Sequence, residues 1–421
     1  MSQTMQTEQY FNGDETFLPD EAIQDLAARF GTPFYLYDET QIRRRAEEIR
    51  QAFAWNVGHQ EWFPVAANPN PTVLKILHQC GCRVTASSVY DMEVARRCGY
   101  PSEEILFHVV YPRPQDVEVI LRRKPHLAFN TPELLHTFAA SGALSDEVCL
   151  RFNPGGKYLP GSSAMGRSAK NKFGMSKEEI LRAIPLLQQA GIRKIGLCFH
   201  FAKNQIVPTY YPTVAKTLFT LAAELCDSVE IGYIDLMGGL GIDYRHGDEV
   251  PTLQEISAQI ESLYEAILVP AGLAEVPIHT ELGRYLMAPC AVLVSSITHV
   301  RHSFRDFIAL DASAADLIRP MLYGGYHHIS ILGKHDMVGR QYYDVVGPMD
   351  SSSDRFGERR LLPIPEPGDL CLLHDVGAHC AGSVFSHGGF FRCAEYLWTS
   401  DGRALQIGAP VTPEPFFEPP F

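Results

Sequence analysis

Between residues 60 and 281 short apolar runs recur, each giving way to a polar turn and then to a stretch with apolar residues every three or four positions. The runs predict strands at Glu61–Ala67, Arg83–Ala86, Ile105–His108, His126–Asn130, Glu147–Phe152, Lys194–Phe201, Tyr233–Met237 and Pro277–Glu281. The stretches between them predict helices that include Pro71–Gln79, Val89–Cys98, Pro114–Arg122, Pro132–Ala140, Lys177–Ala190, Val214–Ala223 and Leu253–Leu268. Eight strands alternating with helices over this length is the arithmetic of a (β/α)8 barrel, an α/β fold. A doubly wound sheet would need fewer strands and a glycine fingerprint after the first, where this chain reads AANPNP.

After residue 290 the texture changes to strand-like runs such as AVLVSSITHVRH, DFIALDA, QYYDVVGP and DLCLLHDVG, with few helical stretches. They predict a C-terminal, mostly-β domain over residues 291–421, with the barrel at 40–290. The strand-like FYLYDET places residues 1–39 with the β domain. The tail PVTPEPFFEPPF has five prolines in twelve residues and reads as extended.

Composition narrows the function. The 421 residues carry 36 Lys+Arg against 49 Asp+Glu, a net charge of −13. That balance argues against nucleic-acid or anionic-membrane partners. The amino-terminal run has neither a cationic nor an apolar signal region, and no window is long and apolar enough to span a membrane. The ten cysteines are scattered, the closest pair being Cys80 and Cys82, which reads as reduced thiols in a cytoplasmic protein and not as a metal site.

In a barrel, chemistry collects at the C-terminal ends of the strands. The sixth strand ends with His200 and Lys203 in CFHFAKNQ, the seventh with MGGLG at Met237–Gly241, and the eighth with Glu281 and Arg284 in ELGR. A glycine run after a strand lets backbone N–H groups converge on a phosphate. On these residues, and on FPVAANPNPTVLKIL, ASSVYDMEVARRCG, RFNPGG, NKFGM, DLMGGLGI, DLIRPMLYGGYH, VVGPMDSSSD and HDVGAHCA, the chain resembles the fold-type III pyridoxal-phosphate decarboxylases, most of all diaminopimelate decarboxylase.

The resemblance implies pyridoxal 5′-phosphate as cofactor, an amino-acid substrate, and a homodimer with shared active sites to which the β domain contributes. It implies that Glu281 faces the pyridine nitrogen, that His200 stacks on the ring, and that Gly238, Gly239 and Gly241 give N–H groups to the phosphate. Lys203 and His379 fall at further cofactor-binding positions, while Arg284, Arg319 and Tyr323 fall where the family holds a distal carboxylate.

The chain also departs from the family pattern. The Schiff-base lysine position is Ala66, which has no amine to form a covalent link. The proton-donating cysteine position is Asp350, and the acidic residue after it is Ser351. His379 replaces a tyrosine, Ala202 and Lys203 replace glycine and serine, Met237 replaces the first glycine of the triple, and Leu282 replaces a proline. Asp350 either donates a proton, if burial raises its pKa, or binds a substrate ammonium. The expected function is decarboxylation of an amino acid with a distal carboxylate, in a lysine-less, inactive or ligand-trapping form. The alternatives are a non-catalytic homologue that binds pyridoxal phosphate or a metabolite, and an amino-acid racemase. The VVGPMDSSSD and DLIRPMLY segments favour the decarboxylase branch over the racemase.

Overall fold

The computed structural model describes residues 17–141, 144–155, 171–200, 202–247, 250–335, 337, 339–383 and 385–412. The amino-terminal run, the loop between RFNPGG and NKFGM, and the proline-rich tail beyond residue 412 lie outside them.

The chain forms two compact units. One comprises Gln41–Ile242 and Val250–Met287, and the other Met1–Thr40, Asp243–Glu249 and Ala288–Phe421. In chain order the strands are β1 (Phe34–Asp38), β2 (Gln60–Pro64), β3 (Arg83–Ala86), β4 (Ile105–Val109), β5 (His126–Phe129), β6 (Glu147–Arg151), β7 (Lys194–Cys198), β8 (Glu230–Asp235) and β9 (Ile278–Thr280). Strands β2 to β9 close a parallel barrel in sequential order, as the rhythm of the sequence predicts, and β2 pairs with β9 at the seam. Helices start where their caps dictate. Pro71, Pro114 and Pro132 open three of them, and Ser88–Asp91, Ser176–Glu179 and Thr252–Glu255 form reciprocal capping boxes at three more. Inside the barrel Trp62, Leu106, Ala128, Cys149, Cys198, Tyr233 and Met237 pack as one cluster.

The second unit is built on β10 (Ala291–Arg301), β11 (Phe307–Leu310), β12 (Ile329–Ile331), β13 (Arg340–Val346), β14 (Arg355–Pro363), β15 (Leu370–Leu373), β16 (Ala394–Trp398) and β17 (Ala404–Gly408). With β1 these make a nine-stranded sheet whose main path runs β14-β13-β11-β10-β1-β16-β17. Strand β1 lies antiparallel to β10 and parallel to β16. The Asp243–Glu249 segment groups with this unit because Tyr244 packs on His327 and His246 hydrogen-bonds Asp375 at 2.7 Å.

Several barrel strands end earlier than the apolar runs suggest. The run at Glu61–Ala67 is strand only to Pro64, and Val65–Ala67 forms a single 3-10 turn. Likewise β7 stops at Cys198 and β8 spans Glu230–Asp235 instead of Tyr233–Met237. The chain leaves the barrel wall to build the rim of its mouth, and rim residues can be as apolar as wall residues. A helix over Glu39–Ala52 follows β1 directly, where the sequence showed only the strand-like run.

Candidate active site

Alternate residues on a strand face the same side. On β8 and the strand beside it, Tyr233 stacks on His279 with ring centroids 4.4 Å apart. Two residues further along each chain segment, Asp235 and Glu281 come together at the barrel mouth, both buried. Glu281 is held from two more strands. His108 Nε2 lies 2.8 Å from its Oε1, and the Thr85 hydroxyl donates to its Oε2 at 3.2 Å. Burial pushes His108 down to about 4, so at neutral pH its imidazole is an uncharged donor to Glu281. Burial pushes Glu281 up to about 7, against opposing pulls from Asp235, the Arg151 charge and Thr85. Asp235 is driven well above the usual carboxylate range, first by burial and then by the charge of Glu281. Arg151, buried at the end of β6, lies over the Phe173 ring with its Cζ 4.5 Å from the centroid.

The rim loops after β7 and β8 are bound to each other. Gln205 N–H donates to Gly239 O, and Gly241 N–H donates to Gln205 O, each at 2.9 Å. Gly239 has φ +101°, and a Cβ there would overlap the Tyr210 hydroxyl and the Ala202 carbonyl. The Gly241 amide is therefore engaged with Gln205, whereas the N–H groups of Gly238 and Gly239 have no acceptor among the described residues. His200 is half-buried beside this turn, and burial, with the charges of Arg151 and Lys203, pushes its imidazole down to about 3. Lys203 is exposed and makes no ion pair among the described residues.

Met237 adopts the left-handed region at φ +53°. Its N–H donates to Asp235 Oδ1 at 2.7 Å, and its carbonyl accepts from Glu281 N–H at 2.9 Å and the Tyr211 hydroxyl at 2.7 Å. Left-handed backbone costs a non-glycine residue about 1–2 kcal/mol, and losing a buried methionine side chain costs about 2–5 kcal/mol. Met237→Gly should therefore lower stability by about 2 kcal/mol in urea unfolding, the difference between the middles of those ranges. An unchanged or higher stability would show that its side chain does not fill the barrel.

Ala66 is exposed on the 3-10 turn after β2, between buried Val65 and Ala67. That turn abuts the loop after β9, where a Cβ on Gly283 would come within 2.9 Å of Ala67 Cβ. The same loop carries Glu281 and, half-buried, Arg284. The barrel thus gathers Ala66, His200, Lys203, Gly238, Gly239, Gly241, Glu281 and Arg284 on loops at the C-terminal strand ends.

The β unit carries the other candidates. Arg319 and Tyr323 are the two ends of one short helix. Arg319 Nη1 donates to Tyr326 O at 2.8 Å and lies 3.0 Å from His327 Nε2, and its Cζ sits 4.2 Å from the Tyr244 ring centroid. Tyr323 is exposed. Met349 and Met321 pack in one apolar cluster, which brings the Asp350 and Ser351 loop to that helix. Asp350 is exposed, so within the single chain the burial that a proton-donor role requires is absent. His379 is half-buried and, like Asp375, has a left-handed backbone at φ +58°.

Sequence reasoning left out Thr85, His108, Arg151 and Asp235 as site residues. Each closes or nearly closes an apolar strand with a polar side chain, and that was the available signal.

A closed parallel barrel with a buried carboxyl cluster and a glycine turn at its mouth, joined in one chain to a β-sheet unit, defines the architecture of a pyridoxal enzyme. Residues 39–288 match the pyridoxal binding domain of the pyridoxal-dependent decarboxylases, and the chain belongs to that family of carboxy-lyases. It is 31% identical over 387 residues to Protein TabA of Pseudomonas amygdali pv. tabaci, covering 91% of this chain and 90% of that one. It is also 31% identical over 382 residues to the diaminopimelate decarboxylase of Bacteroides thetaiotaomicron, covering 88% and 96%. The fold superposes on the diaminopimelate decarboxylase of Helicobacter pylori, solved with L-lysine, at a TM-score of 0.84 and 23% identity, covering 94% and 98%.

The residues present fit the cofactor of this family, pyridoxal 5′-phosphate. A buried carboxyl at Glu281, raised to about 7 by burial, suits a cationic ring N–H. The two unengaged amides of the glycine turn suit a phosphate.

Proposed function

We propose that this chain binds pyridoxal phosphate without a covalent link, together with an amino acid bearing a distal carboxylate, and that Ala66 leaves it a trapping or inactive form of a diaminopimelate-type decarboxylase. The observation that carries this reading is the pairing of an intact acid floor, Glu281 with His108, Thr85 and Asp235, with a methyl group at position 66. When bound, the cofactor supplies an electron sink for the bond to the α-carboxylate. Glu281 keeps a proton at the ring nitrogen. The imidazole of His200, neutral at pH 7, would face the ring and bring no charge to compete for its electrons. Gly238, Gly239, Lys203, Arg284 and His379 serve the cofactor, chiefly its phosphate. Arg319 and Tyr323 grip the distal carboxylate, for which a planar guanidinium is well shaped. Asp350, with Ser351, takes the substrate ammonium, and a homodimer brings it to the site from the partner subunit.

A second reading, a non-catalytic homologue that senses pyridoxal phosphate or a metabolite, is favoured by Ala66 alone. Equilibrium dialysis tests binding directly. The protein should take up about one pyridoxal phosphate per chain and, after borohydride treatment, release all of it on denaturation, because alanine offers no amine. A pyridoxyl group fixed to any lysine, Lys203 first among them, would overturn the non-covalent assignment.

A further inference from the structure

The roles given so far leave the proton of Asp235 unassigned. It is fully buried at the end of β8, and its Oδ1 accepts the Met237 N–H at 2.7 Å. Its Oδ2 is buried with no hydrogen-bond donor among the described residues. The neighbour within hydrogen-bonding reach is the carboxyl of Glu281, another acceptor when ionised. Two ionised carboxylates cannot share a buried site without a proton between them. The question is which of them carries it. Glu281 already receives one donor on each oxygen, His108 at 2.8 Å and Thr85 at 3.2 Å, and so is the better stabilised anion. Asp235 has a donor on one oxygen only.

We propose that Asp235 is a positioning residue that stays protonated at neutral pH, its Oδ2–H donating to Glu281, so that Glu281 remains the charged partner of the ring nitrogen. This rests on the placing of Glu281 against that nitrogen. The directions agree, since burial lifts both groups and the bond between them raises Asp235 and lowers Glu281. The surroundings do not reverse it. His108 is neutral, and Arg151 bears on both groups. Tyr211 and Cys198, which also face Asp235, are pushed further above neutrality by burial and add no charge at pH 7, and burial raises Glu61 as well. A protonated aspartic acid accepting on one oxygen and donating from the other has a close mimic in asparagine.

Infrared spectra of the whole protein, taken from about pH 5 to pH 8, read the proton itself. The carbonyl absorption of buried carboxylic acid should persist at neutral pH, lose a component in Asp235→Asn, and keep that component in Glu61→Gln, which separates the two buried acids. Because the folded-state pKa of Asp235 is raised, the folded protein holds this proton more tightly than the unfolded chain. Stability should therefore fall as pH climbs from about 4 towards neutrality, and Asp235→Asn should flatten that part of the Tm profile. Asp235→Asn should bind pyridoxal phosphate within about threefold of the parent, while Asp235→Ala loses about tenfold or more. A carboxylic-acid absorption undiminished in Asp235→Asn, or an Asp235→Asn protein that loses the cofactor as Glu281→Ala does, overturns the proposal. If the parent protein takes up no pyridoxal phosphate, the reading of the site fails, and the band still decides the location of the proton.

Discussion

Ala66→Lys should turn reversible cofactor binding into an attachment that borohydride makes permanent, with the label on the introduced side chain. Ala66 is exposed on a turn whose neighbours Val65 and Ala67 are the buried residues, so a longer side chain displaces nothing from the core. The change should therefore cost no more than about 0.5 kcal/mol of stability. Turnover should rise by on the order of 10²–10⁴-fold, the scale on which a single positioned catalytic group acts. Mass spectrometry of the reduced, denatured protein and a steady-state assay check the two halves separately. Covalent label without turnover on any amino acid would favour the non-catalytic reading.

In the Ala66→Lys background, Arg319→Ala should weaken substrates with a distal carboxylate far more than diamines such as ornithine or lysine. Losing a hydrogen-bonded ion pair of this kind costs about 1.5–3 kcal/mol, roughly 10- to 150-fold in kcat/KM. Arg319 also holds Tyr326 O and lies on the Tyr244 ring, so its truncation loosens the local backbone as well. That structural loss would fall on both substrate classes equally. The measurement is thus the ratio of the two losses, and equal losses would reduce Arg319 to a tie within the β unit.

The barrel was legible because parallel strands buried on both faces read as near-continuous apolar runs, and helices between them announce themselves by proline and capping residues. The rim was less legible. Val65–Ala67 and Leu236–Met237 are as apolar as the wall, and only the backbone shows that the wall ends before them. The nine-stranded sheet could be recognised as β but not ordered. Phe34 pairs with Val294 and with Ala394, partners that no local pattern can name. At the site, Glu281, His200 and the glycine turn could be picked out at successive strand ends and by resemblance to the family's motifs. The residues that set the electrostatics of Glu281 could not, because Thr85, His108, Arg151 and Asp235 come from four other strands and meet only when the barrel closes. Met237 shows the reverse case. Its departure from glycine looks damaging in the sequence, yet its side chain packs with the barrel core and its backbone is tied by three hydrogen bonds.

The central claim is that this site would decarboxylate an amino acid with a distal carboxylate if position 66 supplied an amine. The direct measurement is release of labelled carbon dioxide by the Ala66→Lys protein, loaded with pyridoxal phosphate and offered diaminopimelate alongside lysine and ornithine. The account predicts release from the substrate with the distal carboxylate well above that from the other two, and none above background from the parent protein. A loaded Ala66→Lys protein that releases carbon dioxide from none of them, or from all three alike, would contradict it.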